Sequence, residues 1–332
     1  MDYIYRYSKY PFQSDKRNFF YKDKKNRPIT KLDSKTQKYI DDLKIPPAYH
    51  PVQIFLNSSS KILAIGEDKI GKKQYIYNPS WINRREKDKY CKLKDFASQL
   101  PLIKTKIQHH LKDPIMSKDK MIALILRIIF MCHFRVGNDI GIDLHNSYGI
   151  TTITKKQVTM KDKSAKIKFI GKSGVTNECI LKDKNAVEIL HKLYAQTPGK
   201  NNDPLFTHDK MRITAKDVNN YLKTFGNFTT KYFRTWIANV TFIDQIMSNY
   251  SVGADLSLTA RKKIFRDCIK LTAEQLYHTP AICKKSYVSK ELWTMFIEHP
   301  TKFDRIVARY YRANKLMDAS ENAFIHFLGD VC

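Results

Sequence analysis

Five side chains, far apart in the chain, have the types that phosphodiester chemistry needs. They are Arg135 in "HFRVGN", Lys172 in "KFIGKSG", Arg234 in "TTKYFRTW", and His278 and Tyr287 in "HTPAICKKSY". A phenol, with an ordinary pKa of about 10, can attack phosphorus and keep the bond energy in a phosphotyrosyl ester. The planar fork of an arginine can neutralise charge that builds on the non-bridging oxygens. A histidine can donate a further hydrogen bond there, and an acid must protonate the departing sugar oxygen. Each residue alone also has an ordinary reading. Arg135 suits a counter-charge at a helix end, Lys172 a solvated turn, Arg234 a half-exposed helix position and His278 a helix cap. Tyr287 is one of 19 tyrosines and suits the rim of a core. Only the set, in its order, suggests a reaction.

The elements that must position these groups can be read from periodicity. "KDKMIALILRIIFMCHFRVGN" spaces its apolar residues for a largely buried helix that stops at Gly137, with Arg135 just past its last core position. "SYGITTITKKQVTM", "AKIKFIG" and "NECILK" read as three strands, and "GKSGVT", which carries Lys172, joins the last two. Helices are predicted at about 183–194, 215–225, 229–248 and 259–277, with more helix after Glu291. Arg234 then falls in the second turn of a helix capped by Thr229 or Thr230, and His278 ends a helix before Pro280.

Upstream, residues 1–50 are polar, aromatic and basic with few periodic signals. From Val52 the runs "VQIFL", "KILAIGED" and "KKQYIYN" are strand-like. The expected organisation is α+β: a small β-rich domain over 1–82 and a larger, mainly helical domain over 83–332. "NPSWINRREKDKY", with Pro and Ser before a charge run, reads as the hinge. In the first domain Gln74 can read adenine edges, while Tyr75 and Tyr77 can meet phosphates or thymine methyls.

Lys and Arg number 59 against 32 acidic residues, a net charge of +27. That balance predicts a polyanionic partner, because each phosphate contact releases counterions. The basic residues are spread along the chain rather than gathered on one amphipathic helix, which argues against a membrane surface. The most apolar segment, Met121 to His133, is broken by Arg127, and the N-terminus has no apolar signal core. An intracellular location at DNA is expected. Six cysteines are scattered without metal-ligand spacing, so free or buried thiols are expected and a structural zinc is not. There is no P-loop and no acidic metal cluster, and neither metal nor small-molecule cofactor is expected.

Arg, Lys, Arg, His and Tyr inside "FRVGN", "IKFIGK", "KYFRTW" and "HTPAICKKSY" resemble the type IB DNA topoisomerases of poxviruses, giant viruses and their bacterial relatives. The resemblance runs from about residue 50 to 290, and "GKKQYIY" is similar to that family's DNA-contacting strand. It implies the tyrosine recombinase/topoisomerase IB fold clamped around double-stranded DNA, a monomer, and relaxation of supercoils without ATP. Tyr287 would be the nucleophile forming a 3′-phosphotyrosyl link. Arg135, Arg234 and His278 would stabilise the transition state, and Lys172 would be the general acid. Lys72, Gln74, Tyr75, Tyr77, Lys231, Lys284 and Lys285 would contact DNA. The alternative is a tyrosine recombinase or integrase, which shares this chemistry. Recombinases usually place His-x-x-Arg where this chain has Lys231-Tyr-Phe-Arg234, and tend to begin with helices rather than strands.

Overall fold

A computed structural model describes the chain except for residues 1, 10, 13–18, 139–141, 143–145, 198–202, 313 and 315–316. The backbone forms two compact units, Met1–Lys89 and Tyr90–Cys332.

In the N-terminal unit the strands are β1 (Tyr3–Ser8), β2 (Phe19–Asp23), β3 (Pro28–Ile29), β4 (Val52–Phe55), β5 (Ile62–Glu67) and β6 (Lys73–Tyr77). They make one antiparallel sheet of order β3-β2-β1-β4-β5-β6. On β1 buried Ile4, Arg6 and Ser8 alternate with partly exposed Tyr3, Tyr5 and Tyr7, as a strand with one covered face must. The covered face packs Ile4, Val52, Ile54 and Ala64 with Ile45 and with Ile40 of helix α1 (Ser34–Asp42). The Arg6 guanidinium is buried there and donates to the carbonyls of Pro46 at 2.8 Å and Ile45 at 3.4 Å. The described residues before Val52 thus form more regular structure than their weak periodicity suggests.

The expected hinge is instead the start of helix α2 (Pro79–Lys112). Pro79 is a helix initiator here, because proline's missing N–H costs nothing in a first turn. Asn78 accepts from the Ser80 N–H at 3.0 Å and from its hydroxyl at 2.8 Å.

The C-terminal unit holds the large core. Helix α3 (Lys118–Cys132) is capped by Ser117, whose hydroxyl accepts from Lys120 N, and is buried on nearly every side. A three-stranded antiparallel sheet follows, made of β7 (Val158–Lys161), β8 (Ser164–Ile170) and β9 (Thr176–Leu181). The long strand expected over "SYGITTITKKQVTM" is only β7 at its end. Before it lie two one-turn 3-10 helices at Ile150–Thr152 and Lys155–Gln157. Gly149 to Thr151 cannot join the sheet because their backbone is committed elsewhere: Ile150 N donates to Arg135 O and Thr151 N to Val136 O.

Next come α4 (Lys184–Gln196), the short pair β10 (Thr207–His208) and β11 (Met211–Arg212), α5 (Ala215–Lys223), α6 (Thr230–Asn249), α7 (Leu258–Gln275) and α8 (Pro280–Ser286). Three more helices, α9 (Lys290–Glu298), α10 (Pro300–Ile306) and α11 (Ala319–Val331), close the unit. Buried Trp236 of α6 donates its indole N–H to Glu321 of α11, which also takes the Lys104 ammonium at 2.6 Å. The cysteine expectation is corrected: Cys91 bridges Cys332 and Cys132 bridges Cys179, with Cα separations of 5.3 and 5.6 Å that a disulfide spans. Cys268 and Cys283 are free and buried.

Candidate active site

The apolar helix α3 ends on His133, a left-handed residue (φ 56°) whose N–H caps Ile129 O. Phe134 then turns inward and packs edge-on to Phe169 of β8 and against Tyr277. Arg135 therefore lies beyond the helix, on an extended segment zipped to Ile150. The segment crosses its partner so closely that a Cβ on Gly149 would sit 2.4 Å from Gly137, which itself has φ 91°. Only glycine fits at either position.

Arg234 comes from α6, whose residues 233–239 are all buried, so the helix runs through the core. Its guanidinium is buried and donates to His133 O, and to Leu276 O at 2.7 Å. One side chain thereby ties the end of α3 to the end of α7. Burial first, and then neighbouring Arg135, pull its pKa down to about 10, so it remains a cation at neutral pH.

After α7 the chain reverses through left-handed Tyr277 (φ 54°), whose hydroxyl donates to Glu178 O on β9 at 2.6 Å. His278 is not a helix cap. It stands in the link between α7 and α8, while Thr279 caps α8 and Pro280 occupies its first turn. Tyr287 ends α8, with its N–H donating to Cys283 O at 3.1 Å.

Four of the five residues meet. The His278 and Tyr287 rings stack with centroids 4.8 Å apart and planes 9° from parallel. The Arg234 guanidinium carbon lies 5.6 Å from the Tyr287 ring centre. Burial alone would push the Tyr287 phenol up, but Arg234 and Arg135, by charge and by hydrogen bonds, outweigh it and hold the phenol below its ordinary value. Burial, then Arg234 and Arg135, drive His278 down to about 4, so the ring is neutral at neutral pH. Neither of its buried ring nitrogens makes a well-formed hydrogen bond, and the Thr279 backbone alone exerts a weak pull on the ring. A neutral imidazole must carry one N–H, and a buried N–H without an acceptor is costly. An anionic oxygen arriving beside Tyr287 would relieve it.

The fifth residue is apart. Lys172 is exposed at the tip of the β8–β9 turn, and among the described residues it makes no hydrogen bond or ion pair. Lys231, in the first turn of α6, is exposed, as are Lys284 and Lys285 on α8. The Lys284 ammonium stands over the rings of Trp293 (4.8 Å) and Phe265 (5.3 Å). Among the described residues no group of His, Cys, Asp and Glu is arranged to hold a metal, and no helix is long and apolar enough to cross a membrane.

One contributor escaped the sequence reading. Fully buried Asn239 of α6 donates to Tyr287 O at 2.9 Å and accepts from Ser289 N at 2.8 Å. The Tyr90 hydroxyl reaches the same Tyr287 carbonyl at 3.3 Å. A lone Asn in a helix gives no local signal, since its partner lies 48 residues away.

In the N-terminal unit Tyr75 and Tyr77 stack on one another (5.9 Å), and Tyr77 stacks on Trp81 (4.7 Å). Gln74 points to the opposite side of edge strand β6, as alternation requires, and its amide is held by Asp68 at 2.9 Å. Lys72 is exposed on the turn before it.

Residues 78–306 match the family of the eukaryotic DNA topoisomerase I catalytic core, and residues 18–68 match the N-terminal domain of bacterial DNA topoisomerase IB. The chain is 32% identical to DNA topoisomerase 1B of Acanthamoeba polyphaga mimivirus, with 95% of this chain and 97% of that one aligned. It is 24% identical to DNA topoisomerase 1B of Vaccinia virus (strain Copenhagen), covering 84% and 90%. It is 23% identical to DNA topoisomerase 1 of Rabbit fibroma virus, covering 93% and 94%. An α+β chain with a β-sheet unit and a mainly helical core, it belongs to the type IB DNA topoisomerases. It is an enzyme of that class and acts on DNA.

Proposed function

We propose that Tyr287 is the nucleophile of this topoisomerase. Its oxygen attacks the scissile phosphorus, the phenol proton passes to solvent, and the bond to the 5′ oxygen breaks, leaving a 3′-phosphotyrosyl ester. Arg135, Arg234 and neutral His278 stabilise the charge on the non-bridging oxygens. Lys172 protonates the departing 5′ oxygen. The free strand swivels and then attacks the ester in the reverse reaction, so the bond energy is kept and ATP is not consumed. The observation that carries this reading is the Tyr287 phenol set against His278 and within reach of two guanidiniums that lower its pKa.

In the same reading a monomer suffices. Strand β6, through Tyr75 and Tyr77 with Lys72 beside it, contacts duplex DNA. Lys231, Lys284 and Lys285 contact phosphates around the cleavage site.

The test is relaxation of supercoiled plasmid in EDTA without ATP, by wild type and by Tyr287→Phe, with detergent trapping of the covalent adduct. Relaxation and adduct are expected from the wild type alone. Equal relaxation by Tyr287→Phe would sink the assignment. Strand exchange between two defined sites without relaxation would favour a recombinase.

A further inference from the structure

The N-terminal sheet has an open face as well as a covered one. The open face carries Tyr3, Tyr5 and Tyr7 on β1, Phe20 and Lys22 on β2, and Tyr75 on β6. The strand registers put these residues in line. Lys22 pairs with Tyr5, Tyr5 with Gln53, Gln53 with Ile65 and Ile65 with Tyr75. All five are on the same side of the sheet, because each pair is directly opposite in an antiparallel ladder.

The aromatic part is already assembled. Tyr3 meets Tyr5 edge-on at 5.5 Å, Tyr5 meets Tyr7 at 6.1 Å, and Tyr7 stacks on Phe20 at 5.5 Å. The Lys22 ammonium lies 5.3 Å from the Tyr7 ring centre. Rings that pack on one another offer little free face for stacking a base. What such a ladder presents is hydroxyls and an ammonium, the groups that bind phosphate. Burial and neighbouring Tyr3 and Tyr7 push the Tyr5 phenol above its ordinary value, so it stays a protonated donor.

Spacing says which phosphates. Neighbouring strands are about 4.8 Å apart, so Tyr5 is roughly 14 Å from Tyr75 and Lys22 roughly 19 Å. A B-DNA major groove is about 12 Å wide. With Tyr75 at the groove, Tyr5 and Lys22 therefore fall past its edge, over the sugar–phosphate backbone. We propose that Lys22, with Tyr5 and Tyr7, binds the duplex backbone just beyond the groove whose bases β6 contacts, roughly 14–19 Å from Tyr75. Residues at the very start of the chain thereby extend the DNA footprint without adding sequence preference. The inference rests on the reading that β6 contacts DNA.

The test uses the full chain and a defined duplex, with affinity measured from 50 to 200 mM salt. Lys22→Gln should lower the slope of log affinity against log salt by about 0.9, so its deficit relative to wild type shrinks about 3.5-fold over that range. A Tyr5→Phe/Tyr7→Phe double variant should bind several-fold more weakly with an unchanged slope. Neither should move the map of cleavage sites or the melting temperature. Tyr75→Ala separates the two readings. Suppose it alters the map or the affinity while Lys22→Gln and the double variant bind like wild type. The backbone contact is then overturned and the β6 reading stands. Should Tyr75→Ala change nothing, the β6 reading falls, and a reduced slope for Lys22→Gln would still support the phosphate contact. A changed cleavage map in Lys22→Gln would overturn the claim that this face is blind to sequence.

Discussion

Asn239 holds the backbone that leaves Tyr287, on both sides of Val288: its amide donates to the Tyr287 carbonyl, and its oxygen accepts from Ser289 N. The tyrosine at the end of α8 is thus positioned by α6, the helix that also carries Arg234. Asn239→Ala removes both bonds and leaves Ser289 N buried without a partner. The expected loss is about 1–3 kcal/mol of stability, with a slower single-turnover cleavage and little change in duplex affinity. Urea denaturation and rapid-quench cleavage measure the two separately. A variant that cleaves at the wild-type rate would show that Asn239 serves folding alone.

Arg234 and Arg135 should respond differently to lysine. Arg234 binds two carbonyls from within the core, whereas Arg135, besides its bond to the Tyr287 phenol, has a single long backbone contact of 3.4 Å to Tyr277 O. Arg234→Lys cannot reproduce the fork and should cost about 1.5–3 kcal/mol per lost bond, visible as a lower melting temperature. Arg135→Lys should slow cleavage with a much smaller thermal shift. Equal melting temperatures for the two variants would contradict this division.

The pH profile of cleavage follows from the tyrosine. Two guanidiniums hold the Tyr287 phenol below its ordinary value of 10. Single-turnover cleavage on a pre-bound duplex should therefore rise with pH and level off below the ordinary phenol range. In Arg135→Ala the inflection should move to higher pH, because one of the opposing charges is gone. An inflection that does not move would mean another group governs the profile.

His278 links stability to pH. Its folded pKa of about 4 lies below the unfolded value of 6.5. Between those values the unfolded chain binds more protons, so stability is complete above pH 6.5 and declines as pH falls toward 4. The full depression corresponds to about 3 kcal/mol. His278→Asn should flatten the dependence of melting temperature on pH in that window, and an unchanged slope would refute the link.

Much of this architecture was legible because its signals are local. The 3.6-residue period of α3, the helical pattern expected over 183–194 and the alternation of "KKQYIY" each act within one element. Local signals also misled. Pro79 and the charge run after it have the composition of a linker, yet a proline in a helix's first turn is favourable. "SYGITTI" has strand composition, but the close crossing at Gly137 and Gly149 takes its hydrogen bonds away from the sheet. The candidate site shows the same division. Its residue types and order can be read from the sequence. The bonds that hold them, Arg234 to His133 O and Asn239 to Tyr287 O, join positions 101 and 48 residues apart. The two disulfides, at separations of 241 and 47, are hidden for the same reason.

The β8–β9 hairpin is held at several points: the Tyr277 hydroxyl donates to Glu178 O, Cys132 bridges Cys179, and Tyr148 N donates to Ile170 O, two residues before Lys172. Those ties reach to within two residues of Lys172, whose side chain is exposed on the turn. Four members of the set meet in one place; the Lys172 ammonium stands apart from them on a well-held turn. That ammonium must give up its freedom when substrate arrives, so for this chain the entropy of forming a complete site is concentrated in one long side chain.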